Sequence, residues 1–573
     1  MPGFFGIITN SGDITNLEIP SVCYTKVVCD EKKGPNYYFK RHVIPKFLND
    51  KVFDENAATI IGTDGILFNS RQLWDKYGVG TNFALIESIY SHQGIKGISE
   101  IKGNFSGFVF NKKTDVLHLF TDHVGSKNIF YFFDDERKNL IFGSELKIIV
   151  TIMRKLGYIP SLSEIGAYCL LTFGFMIGDN TLVKEIKRIP PGSILTYSNG
   201  QITLEEYYKI SSTPEITDSE DMIVKKLDSL FLEAIKLEYE KDLEYNYSHI
   251  STLSGGLDSR MNVLSAKKLG YSDILCLCFS QSNYLDEKIA KKIASEHGFD
   301  FIFHALDNGI YLKDIEKPVS MNDGLVFYAG AAHLLNSISL LEWDRLGILH
   351  TGQAGEIFKG VILSGPRHIP VSSDTIKHGA YSTKLIHRLP QNLIDTLNNY
   401  ENSEICEVYE RGVHGVFNGY RMIEHFTEYS SPFLDRDFLD YAIKIPPQLR
   451  YQSKIYLKWI NTQSPEAAVY RWELTGVEIN ARFLKRFLYA IFRVLRAKVL
   501  GKNNINSMNP LDYWYYTNLG LKEFIETYYT TNIGLLSKHP VLMDDAQRLF
   551  TEGTCSEKTQ VMTLLAAMKL HSL

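Results

Sequence analysis

Apolar and polar positions change period along the middle of the chain. Tyr247-Ser-His-Ile-Ser-Thr-Leu253 passes from polar to apolar and reads as a strand, Leu275-Cys-Leu-Cys-Phe279 reads as a second, and Leu346-Gly-Ile-Leu349 is another short apolar run. Between them, Met261-Asn-Val-Leu-Ser-Ala-Lys-Lys-Leu269 spaces its apolar residues three and four apart and halts at Gly270, which predicts a helix. Asp286-Glu287 opens another, Lys288-Ile-Ala-Lys-Lys-Ile-Ala294. Strands alternating with helices predict an open parallel sheet flanked by helices. A further helical period covers residues 482–500. There Phe483, Leu484, Phe487, Leu488, Ile491, Phe492, Val494, Leu495 and Val499 take one half of the wheel, and Arg482, Lys485, Arg486, Arg493 and Arg496 the other. Such a helix can lie on an anionic membrane or dock a partner, but most amphipathic helices pack on their own core, and that is the expectation here.

Ser254-Gly-Gly-Leu-Asp-Ser259 lies between the first strand and the first helix, where a loop can cradle an anion. Two glycines let backbone amides approach phosphate oxygens, the hydroxyls of Ser254 and Ser259 add donors, and the positive end of the helix faces the same place. Asp258 is then a candidate magnesium ligand. No lysine follows the glycines, so this is not the phosphate loop of ordinary NTPases.

The string resembles the PP-loop synthetases, and in its setting the asparagine synthetase family. His350-Thr-Gly-Gln-Ala-Gly-Glu356 resembles that family's pyrophosphate loop, with Glu356 where a second metal-binding aspartate is usual. Glu428-Tyr-Ser-Ser-Pro-Phe-Leu-Asp435 resembles E-x-R-x-P-F-L-D, with Ser430 in place of the arginine, and Lys454-Ile-Tyr-Leu-Lys458 resembles K-x-x-L-R. The resemblance implies ATP and Mg2+ as cofactors. It places Thr252, Leu253, Ser254, Gly255, Gly256, Asp258, Ser259, Phe279, Thr351 and Gly352 around the nucleotide, Asp258 and Glu356 on the metal, and Lys454, Glu356 and Gln353 at the reaction. The implied chemistry is attack of a carboxylate on the α-phosphate, then attack of a nitrogen nucleophile on the acyl adenylate, with AMP and pyrophosphate leaving. In asparagine synthetases the third loop residue is glutamate. The neutral Gln353 is a poor complement to a substrate ammonium, so free aspartate is disfavoured as acceptor.

The first half resembles the family's glutaminase domain in Asp64-Gly-Ile-Leu-Phe-Asn69, in Thr121-Asp-His-Val-Gly-Ser-Lys-Asn-Ile-Phe-Tyr131, in Phe142-Gly-Ser-Glu-Leu-Lys147, read as a strand, and in the turn Ile189-Pro-Pro-Gly192. The resemblance implies an αββα sandwich of the Ntn-hydrolase kind, ahead of an adenine nucleotide alpha hydrolase-like α/β sheet. Its glutaminase chemistry is missing. Pro2 stands where a catalytic cysteine is expected, and no cysteine precedes Cys23. The R-x-R-G-P-D segment is not recognisable around Phe39-Lys-Arg-His42. Gly80-Thr-Asn-Phe-Ala84 replaces G-S-D-x-E, and Ile66 replaces the glutamate of N-G-E. Ammonia or a substrate amine is therefore the expected nitrogen source.

The 573 residues, 45% of them hydrophobic, suffice for at least two cores, and polar Ser211–Asp221 suggests domains at 1–210 and 221–573. Seven cysteines without paired spacing suggest reduced thiols, with Cys276 and Cys278 buried in their strand. The sixteen histidines show no metal pattern such as H-E-x-x-H. A net charge of −5 gives no sign of nucleic acid. No signal segment or membrane-length apolar run is evident, which suggests a cytoplasmic protein. Aromatic Met508-Asn-Pro-Leu-Asp-Tyr-Trp-Tyr-Tyr516 resembles asparagine-synthetase-like proteins of surface polysaccharide assembly. The expected partners are a small-molecule or sugar carboxylate, such as a uronic acid, and an ammonia or amine donor. A homodimer and peripheral contact with the inner face of the membrane through 482–500 stay open.

Overall fold

The computed structural model describes residues 3–9, 26–481 and 505–573, with 488, 489, 491, 492, 495, 498 and 499 between the last two. Pro2 and Cys23 lie outside the described residues.

Period-two burial builds the first half. In β1 (Gly3–Ile8), Phe4 and Ile8 enter one apolar cluster while Phe5 and Ile7 enter another, so the strand is covered on both faces. It belongs to an antiparallel sheet that also holds β2 (Val28–Lys33), β3 (Tyr37–Val43), β8 (Phe130–Asp134), β9 (Asn139–Gly143) and β10 (Lys187–Arg188), in the order β10-β8-β9-β1-β3-β2. A second antiparallel sheet runs β12-β11-β7-β6-β5-β4, from β4 (Phe53–Glu55), β5 (Thr59–Leu67), β6 (Gly103–Asn111), β7 (Val116–Thr121), β11 (Ser193–Ser198) and β12 (Gln201–Glu206). Phe4, Phe39, Phe108 and Phe142 interlock between the sheets, and Gly6 is required there because a β-carbon would strike the Phe142 and Phe39 rings. Helices α1 (Ser70–Tyr77) and α2 (Asn82–Gln93) cover the second sheet, and α3 (Leu146–Lys155) and α4 (Glu164–Phe173) the first. The expected αββα sandwich is present.

One local expectation needs correction. Phe142–Lys147 is not all strand: pairing ends at Gly143, and the spacing of Leu146, Ile149, Val150 and Met153 starts α3.

The second half holds a five-stranded parallel sheet of order β15-β14-β13-β16-β17, with β13 (Ser248–Thr252), β14 (Ile274–Ser280), β15 (Asp300–Ala305), β16 (Leu346–His350) and β17 (Tyr429–Ser430). The long helix α5 (Glu220–Glu244) is capped by Ser219, at the end of the polar stretch. Helices α6 (Leu257–Lys268) and α7 (Leu285–His297) follow β13 and β14. The chain adds β14 and β15 on one side of β13 and β16 on the other, so a crevice opens beyond the carboxyl ends of β13 and β16, where α/β sheets bind ligands. Cys276 and Cys278 are buried in β14 as expected.

The two halves share a core. The carboxy-terminal helix Cys555–His571 packs Val561, Leu564 and Leu565 with Leu170 and Phe173 of α4, and Gln560 Nε2 donates to Leu170 O at 3.0 Å. Leu488, Ile491, Phe492, Leu495 and Val499 are exposed, against the expectation that the face they share packs on the core. Their basic counterparts Arg482, Lys485, Arg486, Arg493 and Arg496 lie outside the described residues. Among the described residues no helix is long and apolar enough to cross a membrane.

Candidate functional site

Ser254–Ser259 joins β13 to α6, and its polar groups are held by its own side chains and its neighbours. Ser254 N donates to Ser259 Oγ at 3.0 Å, Gly256 N to Ser254 Oγ at 3.1 Å, and Gly255 N to Asp286 Oδ1 at 2.7 Å. A phosphate entering the loop would exchange these partners for its own oxygens. Asp286 sits in the first turn of α7, and burial, reinforced by the charge of Glu473, pushes its carboxyl up to about 6. Leu253, at the end of β13, is fully buried with its amide on Leu277 O, while Thr252 beside it is half-buried.

Arg260 organises the loop from beneath, a role that sequence reasoning missed. Fully buried, it donates to the carbonyls of Gly256 at 3.0 Å and Gly255 at 2.8 Å, and to Ala467, Tyr470 and Arg471 beyond. Burial lowers its pKa to about 10, and its five carbonyl contacts replace lost water. An arginine after the motif reads as an ordinary helical residue, so its role was not visible.

The second loop leaves β16 and meets the first. Thr351 N donates to Ser430 O at 2.8 Å, and Asn262 Nδ2 of α6 donates to Thr351 O at 2.8 Å. A β-carbon on Gly352 would collide with Ser259 N, and one on Gly355 with the Asp258 carboxyl. These glycines therefore let the loops interlock around Asp258. Ala354 between them has a φ of 65°, a left-handed conformation that favours glycine.

Asp258 Oδ2 receives Lys359 Nζ at 2.5 Å and Oδ1 receives the Tyr456 hydroxyl at 2.7 Å. The ammonium marks a position that a hard cation could take on this carboxylate. Glu356, half-buried, acts electrostatically on Tyr381, Glu407 and Tyr420. Tyr381 and Tyr420, with Phe279 at the end of β14, His333, Leu334 and Arg411, line a cavity of about 140 Å3. Arg411 belongs to the π-helix Val408–Phe417, a form that recurs at functional sites. Gln353 is buried and its carboxamide oxygen and nitrogen have no hydrogen-bond partner among the described residues. Lys454 is mostly exposed, 3.7 Å from Glu220 at the start of α5, while two residues on Tyr456 holds Asp258. The lysine on Asp258 is Lys359, which the sequence did not single out.

The residues lost from the glutaminase pattern have structural duties. Asn82, in place of the first acid of G-S-D-x-E, donates Nδ2 to Asp50 Oδ1 at 2.9 Å, and Ile66 is fully buried with Phe47 and Ile348 at the junction with β16. The motif segment Glu428–Asp435 docks on the first half. Asn104 Nδ2 donates to Tyr429 O at 2.8 Å, His123 Nε2 lies 2.8 Å from Leu434 O, and Lys51 and Lys127 flank Glu428 at 2.7 and 2.6 Å.

Comparison with known proteins bears on both halves. The glutamine amidotransferase domain family matches residues 52–208. The glutamine-hydrolysing asparagine synthetase 1 of Bacillus subtilis (strain 168) is 24% identical over 245 residues, 42% of this chain and 37% of that protein. A probable glutamine-hydrolysing asparagine synthetase of Acanthamoeba polyphaga mimivirus is 19% identical over 417 residues, 71% of this chain and 68% of its own. The first of these matches thus spans well under half of the relative's length. A solved structure of glutamine phosphoribosylpyrophosphate amidotransferase from B. subtilis, complexed with ADP and GMP, covers 53% of this chain and 59% of its own at 10% identity, with a TM-score of 0.23, too low to bear on the fold. The chain is thus similar to glutamine-hydrolysing asparagine synthetases and carries a match to the glutamine amidotransferase domain family over residues 52–208.

Proposed function

We propose that the chain is an ATP-dependent carbon–nitrogen ligase that activates a carboxylate other than free aspartate and takes its nitrogen from ammonia or an amine. A carboxylate oxygen attacks the α-phosphorus and pyrophosphate leaves. The nitrogen lone pair then attacks the acyl carbon and AMP leaves with the shared oxygen. The observation that carries this reading is the interlock of the two glycine loops on Asp258. It supports an anion site framed by backbone amides, with acids on both sides.

Thr252 to Ser259, with Thr351 and Gly352, would surround the phosphates, and the cavity beside Phe279 suits the flat apolar base. Asp258 and Glu356 would hold Mg2+, which supplies charge neutralisation when bound. Lys359 already stands at Asp258, whereas Lys454 must leave Glu220 to reach the reacting phosphate. The orphaned Gln353 carboxamide favours an acceptor that offers hydroxyl or amide groups, as a uronic acid does, over a free ammonium. Against glutamine as donor stand Asn82 and Ala84 in place of the two acids of G-S-D-x-E, and the structural roles of Asn82 and Ile66.

The test is pyrophosphate release from ATP and Mg2+ with aspartate and uronic-acid sugars, each with ammonium or glutamine. Release is expected with a sugar acid and ammonium and not with glutamine, and Asp258→Asn should lower it by about two orders of magnitude or more without unfolding the chain. Turnover with glutamine would overturn the donor assignment. Unchanged turnover in Asp258→Asn would overturn the site.

A further inference from the structure

Behind the loops, on the face of the sheet that α5 covers, four ionisable side chains converge. His249 comes from β13, His350 from β16, and Glu238 and Asp242 from α5. Asp242 Oδ2 lies 2.9 Å from His249 Nδ1 and 2.8 Å from His350 Nε2, while Glu238 Oε2 lies 3.4 Å from His350 Nδ1. All four residues are buried, and Tyr239 stacks on the His350 ring at 3.9 Å. Gly347 makes room, because a β-carbon there would strike Asp242 Oδ1.

Ile348 N also donates to Asp242 Oδ1 and Ser430 Oγ to Glu238 Oε1, both at 2.7 Å, so the hydrogen bonds are satisfied but the charges within the group are not balanced. For both His350 nitrogens to donate, the ring must be an imidazolium, one positive charge against the two carboxylates. Lys46, whose charge reaches Asp242, has its ammonium on the Trp343 and Leu346 carbonyls. A divalent ion would instead balance both carboxylates and let His350 stay neutral, with its Nδ1–H donating to Glu238. A carboxylate on the far nitrogen of a ligating histidine is the usual support for such a ring.

We propose that Asp242 Oδ2, His249 Nδ1 and His350 Nε2 bind one divalent cation of the zinc class, with Glu238 orienting His350. Two imidazoles and one carboxylate select a borderline first-row ion over Mg2+. Its role is structural: it ties α5 to the two central strands whose ends carry the loops. Ligands on a tetrahedral ion stand about 3.3 Å apart, so the donors must separate by roughly half an ångström on binding. No spacing motif marks the site, because its ligands come from three separate elements.

The experiment measures metal by mass spectrometry in the full chain, purified from zinc-supplemented medium and desalted without chelator. About one zinc per chain is expected in the wild type and in Asp258→Asn, and below about a tenth in His249→Gln. If His249→Gln does not fold, cobalt titration of chelator-stripped wild type decides, with visible absorption that saturates at about one equivalent expected. Folded wild type without zinc and without cobalt absorption would overturn the proposal, as would full zinc retention in His249→Gln.

Discussion

At the scale of single residues, the site depends on groups that hold the loops as much as on the loop residues themselves. Asp286 is the clearest case, since it grips Gly255 N while buried beside Glu473. Its carboxyl stands at about 6 when folded, against an ordinary value of 3.8, so the native state binds the proton more tightly. Stability is then lost as pH rises from 3.8 through about 6, and the penalty persists above. Asp286→Asn keeps an acceptor for Gly255 without the charge, so it should stabilise the protein by about 2 kcal/mol at pH 8 and by little at pH 4, read from urea midpoints. Gly355→Ala should act oppositely. Its methyl would meet the Asp258 carboxyl, so pyrophosphate release should fall by about a hundredfold even where the chain still folds. Ser254–Ser259 and Thr351–Glu356 were legible as candidate loops, which the fold brings together, because glycines near an acid are local information. Arg260, Lys359 and Tyr456 were not legible as site residues, because their roles arise from contacts between segments far apart in sequence.

At the scale of elements, strands buried on one or both faces and helices with regular spacing were read correctly from periodicity. Phe142–Lys147 failed because a strand and a helix share those few residues. The junction between the halves was also hidden, since charged residues usually signal a surface. Lys51 and Lys127 are buried against Glu428, with Glu424 3.0 Å from Lys127. Burial opposes the Glu428 charge, but the two lysines outweigh it and hold the carboxyl below its ordinary range. That contribution is present above pH 4.5 and is lost as pH falls below it. Lys127→Met leaves Glu424 with no lysine in the cluster and should cost about 3–5 kcal/mol in urea unfolding at pH 7. A different element carries its apolar residues outward. Leu488, Phe492, Leu495 and Val499 are exposed, and the sequence intersperses Arg486, Arg493 and Arg496. The full chain should therefore sediment with anionic phosphatidylserine vesicles and not with phosphatidylcholine vesicles, losing binding as salt rises. Equal sedimentation with both would remove the electrostatic part of this expectation, and none with either would remove the contact.

At the scale of the whole molecule, the polar stretch 211–221 divides the sequence but not the core. Helix α4 belongs to the sandwich, yet its residues Leu170 and Phe173 share a cluster with Val561, Leu564 and Leu565 from the last helix. Asn104, His123 and Lys127 meanwhile bind the segment that leads from β17 toward Asp435. The first half is needed on these grounds whatever its own chemistry, because it forms one wall of the second half and fixes the segment beside the second loop. Residues 221–573 produced alone would expose Val561, Leu564 and Leu565 and strip Glu428 of both lysine partners. Both effects act against folding, the first through lost apolar burial and the second through an unpaired charge. The fragment is therefore expected to aggregate or to lack a cooperative thermal transition, while co-expression with residues 1–220 should restore a soluble complex. A fragment that folds cooperatively and releases pyrophosphate at the rate of the full chain would show instead that the sandwich is dispensable to the loops.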